Sequence, residues 1–159
     1  MNSSGIIKFL KLKALPVEGG FFSETYRSQT VSNRGKRSSG TCIYYLLDDS
    51  TRSYWHKLSS DEIWFYHCGS PAIQILLFPD GRWEERILGP NLRKKQILQS
   101  IIPAGTWQAT VLKERKSWSL FSTVVCPGFD FKDYHPGKGS ELIKNWPSAE
   151  KLIRKLRLI

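Results

Sequence analysis

The strongest constraint on this chain is a rhythm. From Thr41 to Val125, short β-branched and aromatic runs alternate with clusters of turn residues. Thr41 to Leu47, Tyr54 to Leu58, Glu62 to His67, Ala72 to Phe78 and Trp83 to Leu88 each read as a strand. Gln96 to Ile102, Gly105 to Leu112 and Ser117 to Val125 continue the series, and Phe21 to Ser28 precedes it. Asp48-Asp49-Ser50, Ser59-Ser60-Asp61 and Gly69-Ser70-Pro71 supply turns. Pro79-Asp80-Gly81 carries the Asp-Gly pair that tight hairpins favour. Eight or more short strands at this spacing imply an all-β sandwich or barrel.

The ends read differently. Ile6, Ile7, Phe9, Leu10 and Leu12 predict a short opening helix, stopped by Pro16. Near the other end Ser148 reads as an N-cap with Glu150 in the first turn. Leu152, Ile153, Leu156 and Ile159 then recur at helical spacing, leaving Lys151, Arg154, Lys155 and Arg157 on a basic outer face. Arg34 to Gly40 reads as a polar loop. With 159 residues and no repeat or low-complexity tract, a single domain over residues 1–159 is expected.

Composition narrows the function classes. No charged segment followed by an apolar core reads as a signal peptide, and no apolar run is long enough to span a bilayer. The three cysteines, Cys42, Cys68 and Cys126, form no C-x-x-C pair and no disulfide framework. A cytoplasmic protein without a membrane partner is expected. The net charge of +10 raises nucleic acid as a partner, but the basic residues are scattered over loops and helix faces, with no reader motif. Nucleic-acid binding therefore ranks last.

Alternation puts the chemistry-bearing residues on shared faces. Residues 54, 56 and 58 are expected to point one way along their strand, and 62, 64 and 66 to share a face on the next. Inward placement of His56 and Glu62 would bring an imidazole and a carboxylate together. A buried Glu62 needs a partner: His56, a cation or its own proton. Tyr26 shares a strand face with Glu24, and Arg27 is expected on the other. Glu24 reads equally as a pocket-rim acid and as half of a structural ion pair. Asp130 reads as a turn cap, and His67 and His135 as surface or core residues.

These residues carry a resemblance. His56-x-Leu58-x3-Glu62-x6-Gly69 resembles the first cupin motif, in which a second histidine stands where this chain has Leu58. Pro103-x-Gly105-x2-Gln108 resembles the second motif, with Gln108 in place of its histidine. Glu18-Gly19-Gly20-Phe21-Phe22-Ser23-Glu24-Thr25-Tyr26-Arg27-Ser28, Ser60-Asp61-Glu62-Ile63-Trp64 and Pro127-Gly128-Phe129-Asp130-Phe131 add to it. The chain thus resembles the cupin superfamily, and within it the short cupins of the cupin type five group. Further departures are Pro16-Val17, where His-Pro is usual, and His135, where an acidic residue is usual. The resemblance implies a double-stranded β-helix, the cupin jelly-roll barrel, here with short N- and C-terminal helices. It also implies an internal small-molecule pocket and a homodimer.

The resemblance implies a divalent metal on His56, Glu62 and Gln108, a thin donor set of one imidazole, one carboxylate and one amide. Without a metal the same residues suit acid–base chemistry. His56 would be the base, and Tyr44, Tyr54 or Tyr66 the acid. His56, Glu62 and Tyr66 are the expected catalytic group. Glu24, Tyr44, Tyr54, Trp64, Gln74, Trp107 and Gln108 are the expected ligand contacts, offering flat faces and hydrogen bonds. The leading reading is an isomerase or epimerase acting on a carbohydrate-like ligand. A metal-dependent cupin enzyme and a non-catalytic binding or sensing module are the alternatives, so whether the chain is an enzyme stays open.

Overall fold

The computed structural model describes residues 2–31 and 37–157; part of the Arg34 to Gly40 loop, together with Ile159, lies outside them. Helix α1 (Ser3–Phe9) opens the chain, and the Asn2 side chain caps it by accepting from the Gly5 N–H at 3.0 Å. Eleven strands follow among the described residues: β1 (Lys13–Ala14), β2 (Phe21–Arg27), β3 (Thr41–Asp48), β4 (Ser53–Leu58), β5 (Asp61–Gly69) and β6 (Ala72–Leu77), then β7 (Trp83–Leu88), β8 (Gln99–Ile102), β9 (Trp107–Leu112), β10 (Trp118–Cys126) and β11 (Tyr134–Pro136). Helices α2 (Gly139–Asn145) and α3 (Glu150–Arg157) close it.

The strands form two sheets. One runs β1-β2-β3-β10-β5-β8 and the other β11-β4-β9-β6-β7. Each pairing between these strands is antiparallel. The sheets face each other as a jelly-roll barrel, as the strand rhythm required. Three apolar layers hold it. Tyr45, Trp64, Phe121, Leu76 and Leu88 fill the space between the sheets. Ile75, Leu77, Ala109 and Val111, on the outer face of the second sheet, are covered by Leu142 of α2 and Ile153 of α3. Ile6 of α1 and Leu12 cover Leu46 on the outer face of the first. Trp64 meets Tyr45 and Phe121 edge-on at 5.3 and 5.2 Å. Removing one such buried ring costs about 3–5 kcal/mol.

The sequence reading departs from the structure in several elements: strands β1 and β11 were not foreseen, and the opening helix ends at Phe9, well before Pro16. The strand expected from Gln96 begins only at Gln99, because Leu92–Lys94 is a 3-10 turn and Lys95 takes a left-handed conformation. Helix α2, too short to show a full apolar period, was not foreseen.

Two bulges matter for the site. On β4 the pairing runs Ser53↔Thr110 and then His56↔Gln108, so two residues oppose one. The side-chain alternation therefore slips: Ser53, His56 and Leu58 are buried, while Tyr54 is turned out and 51% exposed. On β2 the register shifts between Glu24 and Tyr26, with Glu24 opposite Ile43 and Arg27 opposite Thr41. Ile43 and Thr41 share a strand face, so the bulge brings Glu24 and Arg27 to one side, where simple alternation separates them.

Candidate active site

A cavity of about 310 Å³ opens into the barrel between the two sheets. Leu15, Phe22, Ile43, Leu58 and Val125 make its apolar wall. Glu18 and Glu62 also line it, and Glu24, Arg27, Asp130 and Phe131 form its rim. Two further hollows, of about 370 and 430 Å³, lie beside α3 on the outside of the second sheet. They are larger, yet Glu62 lines only the barrel cavity, and His56 and Gln108 line none of the three. Volume is a weaker guide here than convergent buried chemistry.

His56, Glu62 and Gln108 do converge. Gln108 is the cross-strand neighbour of His56, and its Nε2 donates to Glu62 Oε2 at 2.6 Å. All three are buried. A fourth member comes from outside any strand. Glu18 Oε1 lies 3.9 Å from His56 Nε2. The loop that delivers it is pinned by the Tyr54 N–H donating to the Glu18 carbonyl at 2.7 Å and the Tyr45 hydroxyl donating to the Gly19 carbonyl at 2.8 Å. It also needs its two glycines. Gly19 and Gly20 have φ of 87° and 72°. A Cβ on Gly20 would stand 2.7 Å from the Tyr45 ring, and one on Gly19 2.1 Å from the Arg52 carbonyl oxygen.

Burial sets the protonation. His56 Nδ1 lies 2.7 Å from the Tyr54 carbonyl oxygen. A carbonyl can only accept, so Nδ1 carries the proton and Nε2 presents a lone pair toward Glu18. Desolvation lowers the His56 pKa, against the pull of Glu62 and the Tyr54 carbonyl, so the ring is neutral. Desolvation by burial raises Glu18 to about 8. Glu62 is raised first by burial and then by Glu18, with His56 and Gln108 pulling it back. The inner end of the cavity thus holds two carboxyls inclined to keep protons beside a neutral imidazole. Several buried polar atoms around this group lack a hydrogen-bond partner: Gln108 Oε1, Ser53 Oγ, Trp64 Nε1 and the Tyr134 hydroxyl. Tyr134 stacks on His56 at 5.1 Å and 20°.

At the rim Arg27 binds Glu24 through two donors, at 2.6 and 3.0 Å, and reaches the Phe129 carbonyl. Both readings of Glu24 therefore describe one residue, an ion-paired rim acid. Asp130 accepts from the Lys132 N–H at 3.1 Å and caps the 3-10 turn Phe131–Asp133.

Other expected contacts lie elsewhere. Tyr44 faces outward, edge-on to His67 at 6.1 Å; its neighbour Tyr45 is the inward tyrosine. The β4 bulge sends Tyr54 outside. Trp107 faces the helix layer, with Lys57 Nζ 4.8 Å above its ring. Gln74 is inside the barrel, but its amide is taken by Thr110 and Ser100. Trp64 is inside as core beside Glu62. Tyr66 faces inward too, but donates its hydroxyl to the Gly69 carbonyl at 2.6 Å, toward the far end of β5 from Glu62. Sequence reasoning missed Glu18, Arg27 as a rim group, and Tyr134. The signal for Glu18 was present: an acid followed by two glycines marks backbone pressed against something bulky.

The chain matches the family model described as Cupin superfamily (DUF985) over residues 4–136. It belongs to that family. It is 32% identical over 151 residues to the uncharacterized protein YML079W of Saccharomyces cerevisiae, covering 84% of this chain and 75% of that protein. Protein SO0799 from Shewanella oneidensis superposes with a TM-score of 0.89 at 31% identity, covering 98% of this chain and 97% of the other. A hypothetical protein from Leishmania major gives 0.85 at 29% identity, with 98% of each chain covered. More distantly, oxalate decarboxylase from Bacillus subtilis, 14% identical with a TM-score of 0.55, covers 87% of this chain and 35% of its own length. That likeness shows a shared fold.

Cupin barrels imply a metal, and the residues here fit one poorly. Leu58 is an apolar wall where the motif carries a ligand. Gln108 turns its amide N–H toward Glu62, leaving one imidazole and two protonation-prone carboxyls as donors. Among the described residues no three His, Cys, Asp or Glu side chains gather in metal-holding geometry. Likewise among them, no helix is long and apolar enough to cross a membrane.

Proposed function

We propose that this cupin is a small-molecule isomerase or epimerase whose acid–base pair is Glu18 and Glu62, acting on a carbohydrate-like ligand in the barrel cavity. The observation that carries this reading is the pair of carboxyls on one cavity wall, Glu62 buried and Glu18 partly so, pushed toward their neutral forms and backed by a neutral imidazole. Paired groups of this kind hold one acid and one base at neutral pH. Glu62 is the better base, because the Gln108 N–H bonded to it favours its anion. Glu18, raised to about 8, keeps its proton and serves as the acid. Glu62 takes the proton from the carbon beside a carbonyl while Glu18 protonates that carbonyl oxygen, giving an enediol. Reversal at the neighbouring carbon, or on the opposite face, completes the isomerisation or epimerisation. His56 is 1% exposed and stands behind these two, so it acts as a positioning residue, its Nε2 lone pair turned toward Glu18.

The test is solvent exchange. Wild-type protein incubated in deuterated buffer with aldoses, ketoses and uronic acids should place deuterium on the carbon next to the carbonyl of its substrate. Glu62→Gln should slow that exchange at least ~100-fold, the scale of general-base catalysis. A non-catalytic binding module is favoured by Leu58 and Gln108 standing at metal-ligand positions, and it predicts ligand-dependent thermal stabilisation with no exchange on any sugar.

A further inference from the structure

The inner end of the cavity is rich in hydrogen-bond acceptors. Glu18 and Glu62 bring two carboxyls to its wall, and behind them His56 Nε2 offers a lone pair and Gln108 Oε1 has no partner. The geometry ties these four together: His56 Nε2 to Glu18 at 3.9 Å, Gln108 to Glu62 at 2.6 Å, and His56 facing Gln108 across the strands. Buried acceptors left unpaired are costly, and a donor-rich guest relieves that cost. The charge of the wall adds to this. Glu18, Glu24, Glu62 and Asp130 line the cavity against one cation, Arg27, on a chain whose net charge is +10. Arg27 is itself held by Glu24. Asp130 is likewise held by Lys132, so Glu18 and Glu62 are the lining acids left without a cationic partner among the described residues, and a guest that brings a positive charge supplies one. Phe129 and Phe131 also line the cavity, edge to face at 5.1 Å, with Phe22 on its wall; aromatic faces of this kind suit an organic cation.

We propose that the cavity takes a ligand bearing a protonated amine, its ammonium held between the Glu18 and Glu62 carboxyls and its carbon skeleton against the Leu15, Phe22, Ile43 and Leu58 wall. The proposal rests on the reading of Glu18 and Glu62 as the ligand-facing pair and names the class of ligand. An ammonium supplies three donors to a site short of them, and its charge compensates a carboxylate that burial otherwise disfavours. An uncharged polyol lacks that compensation.

Isothermal titration distinguishes the two. Glucosamine is compared with glucose, and benzylamine with benzyl alcohol, on wild type and on Glu18→Gln and Glu62→Gln, with circular dichroism melts confirming that each variant folds. The amine of each pair should bind wild type at least tenfold more tightly than its neutral partner. Either substitution should erase that preference. Equal affinity for amine and alcohol, or a preference unchanged in both variants, overturns the proposal. So does stoichiometric binding of Mn²⁺, Ni²⁺ or Zn²⁺ lost in Glu18→Gln, with no amine bound. Exchange on neutral sugars without amine preference would leave the isomerase reading standing; amine preference without exchange would do the reverse.

Discussion

Two polar clusters are buried in the same barrel, and they differ in completeness. In the first, Gln74 donates to Thr110 at 3.3 Å and accepts from Ser100 at 2.6 Å. Arg86 then donates to Ser100 and the Ile101 carbonyl and pairs with Glu84. The side-chain polar atoms of Gln74, Ser100 and Thr110 are all partnered. In the second, Glu18, His56, Glu62 and Gln108 meet with atoms left over and with carboxyls held near neutrality. A satisfied network stiffens a core and specifies its packing. An unsatisfied one beside a cavity costs stability, which is the mark of a site kept for a guest.

This contrast can be broken in three ways. The largest expected effect is on pH. Glu18 has a folded pKa of about 8 against an ordinary value of 4.5. Its contribution to stability is full below about 4.5, falls as pH rises, and is gone above about 8. The fall is about 5 kcal/mol for a shift from 4.5 to about 8, at ~1.4 kcal/mol per pH unit. His56, with its lowered pKa, works in the opposite direction, losing stability as pH falls. The difference between urea-denaturation curves of wild type and Glu18→Gln across pH 4 to 9 therefore isolates the Glu18 part. A flat difference curve would contradict the burial argument.

Next in size is the satisfied cluster. Gln74→Leu strands the Thr110 hydroxyl and takes away the acceptor of the Ser100 hydroxyl, which keeps only its Arg86 donor, and should cost about 2 kcal/mol in chemical denaturation. Binding of any cavity ligand should be unchanged, since Gln74 does not line the cavity. The smallest effect has the reverse sign. Glu62→Gln removes a buried ionisable group while keeping an amide-sized partner for Gln108, and should raise the unfolding free energy by about 1 kcal/mol in urea denaturation. Stabilisation joined to loss of exchange or binding would identify the second cluster as the functional one; a destabilised variant would make it structural.

Much of the fold was legible because strand signals are local. β-branched runs, the Asp80-Gly81 hairpin and the turn clusters fix where strands begin and end without reference to the rest of the chain. The pairing of His56 with Glu62 and Gln108 was legible through motif spacing. Tyr54 was misplaced for a different reason. Period-two reasoning assumes an unbroken pleat, and one bulge between Ser53 and His56 reverses which residues face inward. Trp107 shows the same limit from the other side: the face it occupies is covered by helices, so its apolar ring gave no sign of which layer it joined.

The sequence by itself determined an all-β barrel with a helix at each end, and it placed an imidazole, an acid and an amide at positions that meet. Tertiary structure alone decided that Glu18 completes the group, that Tyr66 spends its hydroxyl on Gly69, and that Glu24 and Arg27 share a rim. The physical reason is range. Strand propensity and turn chemistry act over a few residues, whereas the protonation of Glu18 and Glu62 depends on how much water the whole barrel excludes from them, and no local pattern encodes that exclusion.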